Sequence, residues 1–127
     1  MKSKGFIQLA GFLGALAVGI GAFGAHGLQG VLESYGRIET FETGVRYHFY
    51  HSMAMLIVGI WHCLQPERKW LKSSFYSFFI GILIFSGSLY ILSLTGITWF
   101  GAITPLGGVA FITGWLFIIL AAKIENS

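Results

Sequence analysis

Charge is what this sequence has least of. Of its 127 residues, 10% are Asp, Glu, Lys or Arg, against about 25% in a soluble domain. A small globule has the most surface for its volume, and so few charged groups cannot keep one wet. A soluble single domain is thereby excluded. Disorder is excluded as well, because the chain is 55% hydrophobic and disordered segments are poor in apolar residues. Cys63 is the single cysteine, so neither an intrachain disulfide nor a Cys-based zinc centre is available. No G-x-x-x-x-G-K-[ST], H-E-x-x-H or G-x-S-x-G occurs, which removes the enzyme classes those motifs mark. Lys and Arg number 8 against 5 Asp and Glu, a net charge of +3 with no basic run; nothing here tracks a nucleic-acid backbone. What remains is an all-α integral membrane protein, with the lipid bilayer as its first partner.

The gaps between charges organise the chain. No charged residue lies between Lys4 and Glu33, between Arg46 and Glu67, or between Lys72 and Lys123. A helix needs about 20 apolar residues to cross the hydrocarbon. The first two gaps hold one span each, near residues 5–25 and 45–64. The third holds two, near 74–94 and 104–122, broken at the glycines, threonines and Trp99 of residues 95–101. Thr104 reads as the cap of the last span, with Pro105 in its first helical position. Four transmembrane helices result, in one membrane domain covering 1–127. A cleavable signal peptide ending near Ala22-Phe23-Gly24 is the rival for span one, but the uncharged run is too long for its apolar core. Residues 28–44, with Leu32, Tyr35, Ile38 and Phe41 spaced at threes, read as a short amphipathic helix on the outer surface.

Orientation follows from the basic residues. Four spans put Lys2, Lys4, Arg68, Lys69, Lys72 and Lys123 on one side, with only Arg37 and Arg46 on the other. The positive-inside rule then places both termini in the cytoplasm. Span one carries Gly11, Ala15 and Gly19 four apart. Small residues let helices approach closely in lipid, so this ridge is expected to serve packing within the bundle, self-association, or both.

Ionisable groups in the membrane usually face a bundle interior or a hydrated cavity. At 1.5 Å per residue, Arg46 and His26 fall at the outer rim. His48 and then His51 lie deeper along the same helix, and Ser88, Tyr90 and Thr104 share that outer half. The inner half contributes little beyond His62 and Cys63. His48, His51 and Met55 share a face within about 60°, while Glu42 and Arg46 are an i, i+4 pair. The expectation is one outward-facing polar pocket lined by His26, Glu42, Arg46, His48, His51, Ser88, Tyr90 and Thr104. Arg46 would hold an anionic group and Glu42 would orient it. His26, His48, His51 and Met55 are the candidate metal ligands, imidazole and thioether suiting copper. The plainer reading is that the histidines bond to neighbouring helices and lock the bundle.

The segments Gly21–Leu28 (GAFGAHGL), Tyr47–His51 (YHFYH), Phe85–Tyr90 (FSGSLY) and Gly101–Gly108 (GAITPLGG) resemble the small bacterial YwdK/YgdD-type membrane proteins. That is domain-of-unknown-function family 423, to which human transmembrane protein 256 is similar. The resemblance runs through nearly the whole chain and implies a four-span protein of the bacterial inner membrane. It implies no catalytic residue, and no motif in the sequence requires a cofactor. Three functions are weighed. The first is a non-enzymatic protein that binds a small solute or serves a membrane complex through the outer polar belt. The second is a metal or haem redox protein using His26, His48 and His51, although His26 is too shallow to pair with His51 across a haem. The third is an enzyme acting on lipid or quinone at the outer leaflet with histidine as base, for which no carboxylate in the core completes a dyad.

Overall fold

From Lys4 to Glu33 neither charge nor proline interrupts the chain, and the first helix uses most of that run. In the computed structural model, which describes residues 1–123, α1 spans Ser3–His26. It buries Phe6, Ala10, Leu13 and Ala17, spaced by threes and fours, and Gly24 two turns further on; half-buried Ile7, Leu9, Gly14, Ile20 and Gly21 flank that stripe. A short α2, Gln29–Tyr35, follows and stops at Gly36, whose φ of +66° only glycine adopts cheaply. The Arg37 amide donates to the Leu32 carbonyl at 2.9 Å, closing that end as helix C-caps commonly do.

The next helix corrects an expectation. Residues 38–44 are not part of a separate surface helix; α3 begins at Ile38 and runs 27 residues to Leu64. Glu39 and Glu42 point outward, while Phe41 and Gly44 continue the buried stripe of His48, His51, Ser52, Met55, Val58 and His62. Gly44 looks like a breaker but is a seat, because a Cβ there would lie 3.0 Å from the Tyr90 ring.

The third gap holds α4 (Leu71–Gly81), a π-helical turn (Ile82–Ser86) and α5 (Gly87–Thr95), stacked as one rod. Gly96, at φ +72°, ends it. The last helix, α6, begins at Phe100 and runs to Lys123. Thr104 is therefore not its cap and Pro105 is not at its first position. Both sit inside the helix, where the Thr104 hydroxyl donates to the Phe100 carbonyl at 3.2 Å.

Helix α3 is the centre of the packing, with α1 against one side and α4, the π turn and α5 against the other; α6 covers the α4–α5 rod. Phe6, Leu13, Met55, Val58, Phe75, Phe78, Ile82 and Phe111 form the core. Glycines on α4 and α6 set the closest approaches. Gly107 lies directly on the backbone of Phe85 in the π turn, and Gly81 and Gly114 receive the rings of Phe111 and Phe78. At the Ser3 end α1 also reaches α4, with the Phe6 and Phe75 rings 4.4 Å apart. Towards His26 it stands away, leaving an apolar groove of about 550 Å³ bounded by α1 and α5 and lined by Phe41 and Tyr90.

By length and composition α1, the α4–α5 rod and α6 are each apolar enough to cross a membrane. Helix α3 is longer than any of them but carries His48, His51 and His62 with Glu39, Glu42 and Arg46, and falls short on apolarity alone.

Candidate functional site

The polar residues expected to share one pocket are distributed by the fold into separate places. His48 is buried and its Nδ1 is 2.8 Å from the Tyr90 hydroxyl, joining α3 to α5. His51 is also buried but turns towards α6. Its ring stacks on Phe111 with centroids 3.6 Å apart and planes 10° from parallel. Its Nδ1–H donates to the Tyr47 carbonyl at 2.8 Å, and its Nε2 accepts from the Trp115 indole N–H at 3.1 Å. Both ring nitrogens of His51 are thus occupied in the neutral form. Ser88 and Thr104 hydroxyls meet at 2.6 Å, tying α5 to α6. These contacts are interhelical locks.

The remaining candidates lie elsewhere. His26 is exposed at the end of α1 and makes none of these contacts. Glu42 and Arg46 are exposed on α3, 3.9 Å apart. An Arg46 amino group donates to the Thr43 hydroxyl at 3.1 Å, and that hydroxyl donates to the Glu39 carbonyl at 3.0 Å. The guanidinium is therefore held along its own helix and stays half exposed. Arg46 and Glu42 line a cavity of about 190 Å³ where the end of α1, the short α2 and the start of α3 meet; Gln29 of α2 also faces it. Met55 is fully buried in the core. Among the described residues no three His, Cys, Asp or Glu side chains gather as a metal-binding set.

Two features escaped the reading by depth. The Ser86 hydroxyl donates to the Gly44 carbonyl at 2.7 Å, pinning the π turn to α3. At the opposite end Ser3 Oγ and His62 Nδ1 lie 2.6 Å apart, beside Phe6 in an edge-to-face contact. Ser3 sits among lysines and His62 near a helix end, so neither announces a partner. Near them the Ser74 hydroxyl donates to the Gly114 carbonyl at 2.9 Å and Arg68 donates to the Ala121 carbonyl at 2.8 Å.

Comparison with known proteins matches residues 20–108 to the family described as "Protein of unknown function (DUF423)". The chain is 47% identical to the UPF0382 membrane protein YwdK of Bacillus subtilis over 120 residues, 94% of this chain and 96% of that protein. It is 43% identical to a UPF0382 membrane protein of Staphylococcus epidermidis over 93% of this chain and 94% of the relative. It is 38% identical to one of Haemophilus influenzae over 91% of this chain and 90% of the relative. No solved structure matches.

Proposed function

This chain belongs to the family described as Protein of unknown function (DUF423), and from that premise we propose a four-span protein of the bacterial inner membrane with both termini in the cytoplasm. Its relatives are named membrane proteins. The fourth span is α3, whose polar residues lower its mean hydropathy. His48, His51, Ser52 and His62 are buried against protein, where intramembrane polar groups are tolerated. The excess of Lys2, Lys4, Arg68, Lys69, Lys72 and Lys123 on the terminal side supports the orientation.

We propose further that the protein is non-enzymatic and recognises an anionic group at the outer surface. The carrying observation is the cavity beneath α2 with Arg46 and Glu42 on its wall. Two opposite charges stand on its wall, and it lies where span two enters the membrane. His48, His51, Ser88, Tyr90 and Thr104 serve as locks between helices rather than contacting the ligand. Metal or haem ligation by His51 draws no support from this arrangement, because both its ring nitrogens already have partners. The test is cysteine labelling in a Cys63→Ser background. Ser34→Cys and Glu42→Cys should react in intact cells with a membrane-impermeant maleimide, while a tag at either terminus should be protected. Protection of both cysteines would overturn the reading.

A second reading has its own observation. Gly11 and Gly19 have open space where a side chain would go, so the small-residue ridge with Ala15 is not consumed by packing within the chain. It supports self-association, or docking into a membrane complex, through α1.

A further inference from the structure

We propose that Arg46 binds the phosphate of an anionic glycerophospholipid of the outer leaflet, with one acyl chain lying in the groove directly below it. This rests on the outward orientation proposed above. The groove, about 370 Å³, runs between α1 and α3 and is lined by Ala17, Val18, Gly21 and Ala22 on one wall and Val45, Phe49 and Tyr50 on the other. Arg46 lines both this groove and the charged cavity beneath α2. One guanidinium therefore stands where a recess that also holds Glu42 and Gln29 meets an apolar trough.

The two parts suit the two halves of one molecule. The trough follows the helices for about 7.5 Å along α1 at 1.5 Å per residue, with small residues on that wall and aromatic ones opposite. Gly21 permits the close approach that gives it a floor, since a Cβ there would already meet Val45 at 3.0 Å. A soluble anion has no use for such a trough; a lipid does. Above it, a guanidinium donates to phosphate oxygens through a planar fork. Thr43 takes one donor and Glu42 stands 3.9 Å from the group, beyond hydrogen-bond distance. Donors remain for a phosphate, and the Glu42 carboxylate opposes its charge. Glu42 thus weakens the site, which yields a prediction of opposite sign for neighbouring residues. Tyr50, one turn below Arg46 and exposed, lies at the interfacial depth that tyrosine favours.

Native mass spectrometry of the full chain in detergent, with dioleoylphosphatidylglycerol or dioleoylphosphatidylcholine added, tests this. The wild type should retain the phosphatidylglycerol preferentially. Arg46→Gln should lower its retention about fivefold, the worth of one basic residue near an anionic surface. Glu42→Gln should raise it, and Ala22→Phe, which fills the trough, should lower retention of both lipids. Unfolding midpoints should match the wild type, since all three residues are exposed. Glycerol 3-phosphate, the same phosphate without chains, should not displace the lipid. Displacement by it would reassign the site to a soluble anion, and equal retention by wild type, Arg46→Gln and Ala22→Phe would overturn the proposal. The Ser34→Cys labelling is run alongside: failure of labelling removes the orientation, whereas failed retention with correct labelling removes only the lipid.

Discussion

The two sides of α3 are held in different ways. Facing α4, α5 and α6, the bundle is fastened by directional bonds: His48 to Tyr90, Ser86 to the Gly44 carbonyl, His51 to Trp115, and Ser88 to Thr104. Glycines there allow backbones and rings to touch. Facing α1, apolar packing does nearly all the work. Among the described residues the one side-chain pair by which α1 hydrogen-bonds another helix is Ser3 with His62, at the far end. Towards His26 that helix is flanked by grooves on both sides. In lipid, apolar contact gives helices no hydrophobic gain. This side relies on close seats, with Gly24 under the Phe41 ring and Gly59 against Phe6, and with fewer directional bonds it is the weaker one. The lesson is a division of labour: three packed elements form a rigid block, and α1 is an attached helix whose flanks remain available.

The strongest challenge to that division is Gly107→Leu. A side chain there has no room, because its first atom would fall on the Phe85 backbone. Overpacking costs about 1–3 kcal/mol and sometimes more, and backbone cannot move aside as a flexible side chain can. The variant should lose most of its thermal resistance in detergent, read by circular dichroism. A wild-type melt would mean that α6 is not seated on the π turn.

Next comes His51→Phe, which keeps a ring to stack on Phe111 but leaves the Trp115 N–H without its acceptor. A donor left unsatisfied away from water costs about 1–3 kcal/mol. That is tempered here because Trp115 is exposed on the bundle surface and such bonds in membranes average about 0.6 kcal/mol. A loss of about 1 kcal/mol is therefore expected. The double variant with Trp115→Phe should be no worse than His51→Phe alone. Additive losses would show that the two residues act separately. Tyr90→Phe should cost somewhat less, since Tyr90 is only partly buried and loses one partner, His48.

The rigid block was only half legible beforehand. Charge gaps and apolar runs reveal helices because the bilayer demands length and hydrophobicity of each segment separately. They also put His48, His51 and Met55 on one face, and all three are buried. The partners were hidden, because a 3.6-residue period orients a side chain on its own helix and says nothing about which neighbour it meets. His51 and Trp115 are 64 residues apart. The π turn at Ile82–Ser86 compounds this: its extra winding changes the direction of Ser86, Ser88 and Tyr90 while barely altering their depth. Position along each helix was thus readable and direction was not. One pocket was expected where the fold makes several locks. Arg46 and Glu42 kept their expected pairing because both lie on one helix, where i, i+4 spacing is enough.

The smallest effect expected on stability is the most informative about α1. Gly11→Leu and Gly19→Leu add bulk to a face that meets nothing within the chain, and leucine favours helix over glycine by roughly 0.5–1 kcal/mol. The melting midpoint of the monomer should hold or rise slightly. If the ridge docks against another copy, the same substitutions should separate the chains, since close backbone approach over small residues is what they abolish. Light scattering in mild detergent should then report a smaller particle for both variants than for wild type, while circular dichroism stays unchanged. A wild-type monomer with unaltered variants would leave lipid as the neighbour of that face. A lowered midpoint in the monomer would instead show that α1 packs more tightly than its open flanks imply, and the contrast between the two sides of α3 would fail.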